Sequence, residues 1–215
     1  MEYFLKHYDK IFELFLEHVQ ISLYAVLLAA VIGVPIGIYV AKKGLIKQIV
    51  LSIVNAIYTI PSLALFTIMI PVLGIGVTPS MIALVLYSLM NIIVNTSLGI
   101  ESVNKNLLEA AEGMGMTKWQ VLFRVEIPLG MSKIIAGIRL SMVMAISVAT
   151  VASYVGGGGL GDLVFSGIFS MNVSKILCGA IPICILALAT DGALAWIEHR
   201  LLLWTGDGHS VKGGA

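Results

Sequence analysis

Along this chain apolar residues come in runs far longer than a soluble helix or strand needs, and polar residues are confined to a few short intervals. No charged residue occurs from Gln48 through Ile100, or from Leu140 through Gly161. A globular core cannot hide runs of that length, so the pattern is that of an all-α integral membrane protein. A bilayer core of about 30 Å takes about 20 apolar helical residues. That length predicts five transmembrane helices, over 19–41, 49–73, 80–100, 134–155 and 176–197. The uncharged interval after Lys47 divides at PVLGIGVTPS, where Pro71, Gly74, Gly76 and Pro79 supply turn chemistry. An odd number of spans puts the two termini on opposite sides of the membrane.

The cationic residues choose the orientation. With the amino terminus outside, the inner face collects Lys42, Lys43, Lys47, Lys105, Lys118, Arg124, Lys133, Arg200 and Lys212, and the outer face keeps Lys6, Lys10 and Lys175. Cytoplasmic loops carry the excess of Lys and Arg, so segment 101–133 and a tail over 201–215 are expected in the cytoplasm. Arg139 snorkels toward the same face. Residues 1–18 hold four acidic residues and no small-residue cleavage site, unlike a signal peptide. Phe4, Tyr8, Ile11, Phe12, Phe15 and Val19 recur at helical spacing, which predicts an amphipathic helix lying on the outer membrane surface. The net charge of +1 gives no reason to expect nucleic acid. Cys178 and Cys184 stand six apart in one apolar run and face different ways on a helix; they read as packing residues, not a disulfide.

The one long polar stretch between spans, Glu101 to Lys133, has its own pattern. Leu107, Leu108, Ala111 and Met114, then Trp119, Leu122 and Phe123, follow amphipathic helical spacing, interrupted by Gly113 and Gly115. Two short helices joined at a glycine turn are predicted. Ala110 and Ala111 leave room for another backbone to approach. Pro128 is expected to end the second helix before the chain re-enters the membrane.

The spelling of that stretch, Glu109-Ala110-Ala111, three residues, Gly115, nine residues, Val125-x-Ile127-Pro128, resembles the EAA loop of binding-protein-dependent ABC importer permeases of type I. Val125 and Ile127 replace that pattern's Ile and Leu conservatively. The resemblance extends over essentially the whole chain in span count and order. It implies that Glu109, Ala110, Ala111, Gly115 and Pro128 form the element seated on a cytoplasmic ABC ATPase dimer, with Glu109 pairing a basic group there and Gly115 permitting the turn. ATP and magnesium would belong to that ATPase, with no cofactor in this chain. It further implies an extracellular substrate-binding protein, a second permease (an identical or a paralogous copy), lipid around both, and a place in the cytoplasmic (inner) membrane of a prokaryote.

Two further stretches, YTIPSLALFTIMIPVLGIG and YVGGGGLGDLVFSGI, are similar to permeases of compatible-solute importers for glycine betaine, carnitine or choline. The Gly156–Gly159 run with Gly161 is also similar to methionine-importer permeases, so a methionine or other amino-acid importer is the alternative. A quaternary ammonium is held best by an aromatic cage. The span aromatics Tyr24, Tyr39, Tyr58, Phe66, Tyr87, Tyr154 and Trp196 are scattered over the chain, so tight selection is assigned to the separate binding protein.

Polar residues within spans are the candidates for a translocation path: Asn55, Tyr58, Thr59, Asn91, Asn95 and Thr150, with Pro61 either kinking the second span beside them or simply tolerated there. Helix–helix hydrogen bonding is the competing role for the same side chains. Asp191, alone deep in a span, is expected to pair with Arg139 or reach the inner interface. The chain carries no HExxH, GxSxG or Walker A motif and no His–carboxylate set at metal-ligand spacing, so neither an enzyme nor a metal site is expected. A channel would need a filter or charged ring and no docking loop.

Overall fold

The computed structural model describes residues 7–205, and every regular element among them is helical. In chain order these are α1 (Tyr8–Ala41), α2 (Gly44–Thr59), α3 (Ser62–Leu73), α4 (Val77–Glu101), α5 (Lys105–Gly113), α6 (Lys118–Val121), a π-helical segment (Leu122–Glu126), α7 (Ile127–Ala152), a 3-10 turn (Ser153–Val155), α8 (Gly161–Phe169) and α9 (Val173–Thr205). Helix is the form that satisfies its own backbone groups in hydrocarbon. Among the described residues, four helical runs are long and apolar enough to cross a membrane: α1, α4, Lys118–Val155 and α9. The pair α2–α3 passes only when taken together across a 94° bend.

Helix α4 lies between α1 and α7 and shares its broadest faces with both, while α9 packs on α7 and α8. Ala25, Phe66, Leu84, Tyr87, Ile146 and Ala149 fill the centre. Lipid tails are as apolar as leucine, so helices associate through close packing, which small residues allow. Gly37 of α1 lies against α4 so tightly that a Cβ there would stand 2.6 Å from Thr96 Cβ. Gly99 of α4 and Gly130 of α7 cross backbone to backbone, each Cβ position being 2.8 Å from main-chain atoms of the other.

Several expectations change. Within the described part of 1–18, no separate surface helix precedes the first span: α1 is one helix of 34 residues from Tyr8 with no break at residue 18. Its first turns are held in the bundle. His18 is fully buried, with Nε2–H donating to the Ile146 carbonyl at 3.1 Å, and Ile11 and Leu14 pack on Leu160 and Leu163. Tyr8 and Phe12 remain exposed; Phe4 lies outside the described residues, as do Lys6 and Lys212. The second span, 49–73, is broken at Ile60–Pro61, not continuous. The division after it stands, with α3 ending at Leu73 and α4 beginning at Val77, though Pro71 and Pro79 lie inside the flanking helices. Pro128 does not end a helix. It follows the π-helical segment, and the helical run continues from Lys118 to Val155. Finally, the interval between the last two predicted spans holds a short helix, α8, which follows the glycine run.

Candidate functional site

The stretch Lys105–Pro128 projects from one end of the bundle as a two-helix lever. Asn104 caps α5, its side chain accepting from the Asn106 N–H at 2.9 Å. At the other end the Gly115 N–H donates to the Glu112 carbonyl at 2.9 Å and the Met116 N–H to the Ala111 carbonyl at 3.1 Å. This is a Schellman closure, and it places Gly115 at φ +81°, a conformation that favours glycine. Gly115 makes the turn while Gly113 stays within the helix. Thr117 and Gln120 then form a capping box that starts α6: the Thr117 N–H donates to Gln120 Oε1 at 2.8 Å, and the Gln120 N–H to Thr117 Oγ1 at 3.3 Å.

On this lever Glu109 and Ala110 are exposed, while Ala111 is buried against the fold. Leu107, Met114, Trp119 and Phe123 present large apolar surface outward, and the Trp119 and Phe123 rings stack at 5.9 Å. Pro128 lines a shallow groove beneath α5, with Leu107, Ala110 and Met116. An exposed carboxylate and a small residue thus stand beside a contiguous patch of exposed apolar side chains.

Charged contacts, most of them with no signal in the sequence, join helices distant along the chain. Lys42, which caps α1, donates to the Glu126 carboxylate in the π-helical segment, a side chain only 5% exposed. Lys47 in the first turn of α2 donates to both Glu101 oxygens at 2.7 Å. Arg139 of α7 grips Asp191 of α9 through Nε at 2.6 Å and Nη2 at 2.9 Å, and adds Glu198 through Nη1 at 3.0 Å. The Arg139–Asp191 partnership was foreseen; Glu198 was not. These partners lie 52–84 residues apart, and the only hint of one is a lone carboxylate in an otherwise apolar VEIP.

The candidate path residues fall into separate places. Asn55, Thr59 and Pro61 are exposed around the α2–α3 bend, and Thr59 Oγ1 donates to its own helix at Asn55. Tyr58 sits edge-on to Tyr87 at 6.1 Å, and the Tyr87 hydroxyl donates to the Ile60 carbonyl at the bend. Asn91 and Asn95 lie where α4 meets Gly137 of α7, with the Asn95 amide donating to the Asn91 carbonyl at 2.8 Å. Thr150 donates to Ile146 within α7. At the far end of the bundle, the Gly159 N–H donates to Glu17 Oε2 at 2.9 Å, anchoring the glycine run to α1. Burial and the Glu17 charge push Asp162 above the usual carboxylate range there, opposed by Lys10. Among the described residues no cluster of His, Cys, Asp and Glu could hold a metal ion.

Over residues 33–203 the chain matches the family described as binding-protein-dependent transport system inner membrane component. The chain belongs to that family. It is a multi-pass ABC importer permease, a transport subunit and not an enzyme, which works with an ATPase and a binding protein. Relatives include a carnitine transport permease protein OpuCB of Listeria monocytogenes, 47% identical over 86% of this chain and 85% of that protein. The glycine betaine/carnitine/choline transport system permease protein OpuCB of Bacillus subtilis is 44% identical over the same shares, 86% and 85%. An osmoprotectant import permease protein OsmW of Salmonella typhimurium is 39% identical over 94% of each chain. Among solved structures, the inward-facing MetNI methionine ABC transporter superposes with a TM-score of 0.80 at 21% identity, covering 89% of this chain and 95% of that one. At that identity the likeness speaks for the permease fold alone.

Proposed function

We propose that this permease moves compatible solutes of the glycine betaine, carnitine and choline class into a prokaryotic cell, driven by a cytoplasmic ABC ATPase dimer. The observation that carries the mechanical half is the lever, whose EAA spacing is folded into a Schellman-turned pair with Glu109 and Ala110 presented outward. Closure of the ATPase pulls on α5 and α6, and the run Lys118–Val155 carries the displacement into the membrane. The relatives at 39–47% identity support the cargo class. The methionine alternative has on its side a likeness of fold and the resemblance of the Gly156–Gly159 run.

In this reading α2–α3 counts as one bent span, giving five, with the amino terminus outside and the lever in the cytoplasm. Two permeases, identical or paralogous, enclose the path. Asn55, Tyr58 and Thr59 with Asn91, Asn95 and Thr150 offer it polar groups, and selection rests with the extracellular binding protein. The test is uptake into proteoliposomes holding the complete complex, with labelled glycine betaine, carnitine, choline and methionine offered in turn. ATP-dependent accumulation of at least one quaternary ammonium, and none of methionine, is the expected result. Accumulation of methionine alone would overturn the cargo assignment.

A further inference from the structure

The lever is bracketed by two carboxylates, and both are held by lysines from the same short connection. Glu101 is the last residue of α4, where the lever begins; Glu126 is the last residue of the π-helical segment, where the lever joins α7. Their partners, Lys47 and Lys42, flank the turn between α1 and α2. We propose that these two ion pairs are straps, and that Lys42, Lys47, Glu101 and Glu126 are positioning residues that make the α1–α2 turn move with the lever.

The geometry favours transmission over decoration. Without the straps the lever has one covalent route into the bundle at each end, through α4 and through α7. Helix α2 touches α1 and α4 and leads directly into the 94° bend at Ile60–Pro61. A displacement delivered to Lys47 therefore reaches the elbow through one rigid helix, Gly44–Thr59. The Glu126 side chain is 5% exposed, so it depends on its countercharge; Lys42, at 60% exposed, keeps one side in water and can follow a moving partner. Coupling needs an element whose position both sites bias, and the strapped turn is one.

This inference rests on the importer reading above, and its test has a readout that does not depend on the cargo. In the complete complex, spin labels at Ser52→Cys on α2 and Ser147→Cys on α7, both exposed, report their separation with and without trapped nucleotide. With the straps intact, trapping shifts that distance. In Lys42→Met, Glu126→Gln, Lys47→Met or Glu101→Gln, the shift falls and ATP hydrolysed per solute imported rises about two- to thirty-fold. The charge swaps Lys42→Glu with Glu126→Lys, and Lys47→Glu with Glu101→Lys, bring both back toward the parent values. A merely structural staple would reduce the amount of assembled complex and leave both readouts unchanged. Should the Glu126 variants fail to assemble, the Lys47–Glu101 pair, whose carboxylate is the more exposed of the two, and its swap decide. Assembled single variants with the parental shift, or swaps that restore nothing, overturn the straps. A parent complex with no nucleotide-driven shift overturns the importer reading instead.

Discussion

The chain answers two of its prolines, Pro61 and Pro128, in opposite ways. At Pro61 the helix breaks. Ile60 (ψ 129°) and Pro61 (φ −58°, ψ 134°) are both extended, and α3 leaves α2 at 94°. At Pro128 the helix goes on. The turn before it is widened, with the Ile127 N–H donating to the Leu122 carbonyl five residues back. A proline lacks its own N–H and crowds the carbonyl four residues earlier. Both needs can be met by stopping the helix or by a π turn that opens the spacing. The first solution makes an elbow with few interhelical restraints. The second makes a continuous rod of 38 residues that leads from the lever into the membrane. One fold thus holds a part suited to bending and a part suited to carrying load.

Pro61→Ala is the most direct way to break that contrast. A proline inside a helix costs about 3 kcal/mol, and removing it withdraws that penalty from a helix running straight through residue 60. It also frees Ile60 from the extended bias that a following proline imposes. Spin labels at Asn55→Cys and Thr67→Cys, both exposed, are expected to move apart as the elbow straightens, and solute uptake is expected to collapse. Pro128→Ala, with labels at Gln120→Cys and Lys133→Cys, should leave that separation nearly unchanged, because the rod is continuous already. Equal responses in the two variants would dissolve the distinction.

How much of this was legible beforehand follows from the same physics. The all-helical character and four long apolar helices were, because an apolar run of about 20 residues has few alternatives, whereas 49–73 is a pair bent by 94°. So was the lever's turn, since a glycine placed to end an amphipathic helix is a local signal, and Gly115 does take the left-handed conformation. Pro61 announced a kink but not its size, which depends on what α3 packs against. The π turn at 122–126 has no local spelling; it is a register compensation visible only once the helix is seen to continue. Nor does any local signal tie Lys42 to Glu126, 84 residues on. The docking of the first turns of α1 was equally hidden, because His18, Ile11 and Leu14 meet Ile146, Leu160 and Leu163 far along the chain. For the site, the two short helices and the turn at Gly115 take the expected local form, Pro128 does not end its helix, and the polar residues of the path lie apart.

The lever's own turn offers a smaller perturbation. Gly115→Val forces a β-branched side chain into φ +81°, a strain of about 1–3 kcal/mol, with no neighbour within 4 Å of the new Cβ to add a clash. The α5–α6 angle should therefore relax while the membrane helices stay as they are. The expected outcome is a complex that inserts normally, copurifies poorly with its ATPase and imports solute slowly. Normal copurification and uptake would show that the turn tolerates other geometries.

The smallest effect is expected at the elbow's one side-chain fastening. The Tyr87 hydroxyl donates to the Ile60 carbonyl, which the break leaves without a helical partner, and the Tyr87 ring stands edge-on to Tyr58. Tyr87→Phe keeps the ring contact and removes only the hydrogen bond, worth about 0.5–1.5 kcal/mol. Pro61 still forbids the straight helix, so the mean separation of labels at 55 and 67 should hold. What changes is the restoring force: the distance distribution broadens, and uptake falls by less than in Gly115→Val. A distribution as narrow as the parent's would mean that proline alone sets the elbow and that the tyrosine serves packing. A shifted mean would mean that the hydroxyl, not the proline, sets the angle, and the contrast between the two prolines would then rest on α4 instead of on the chain's own stereochemistry.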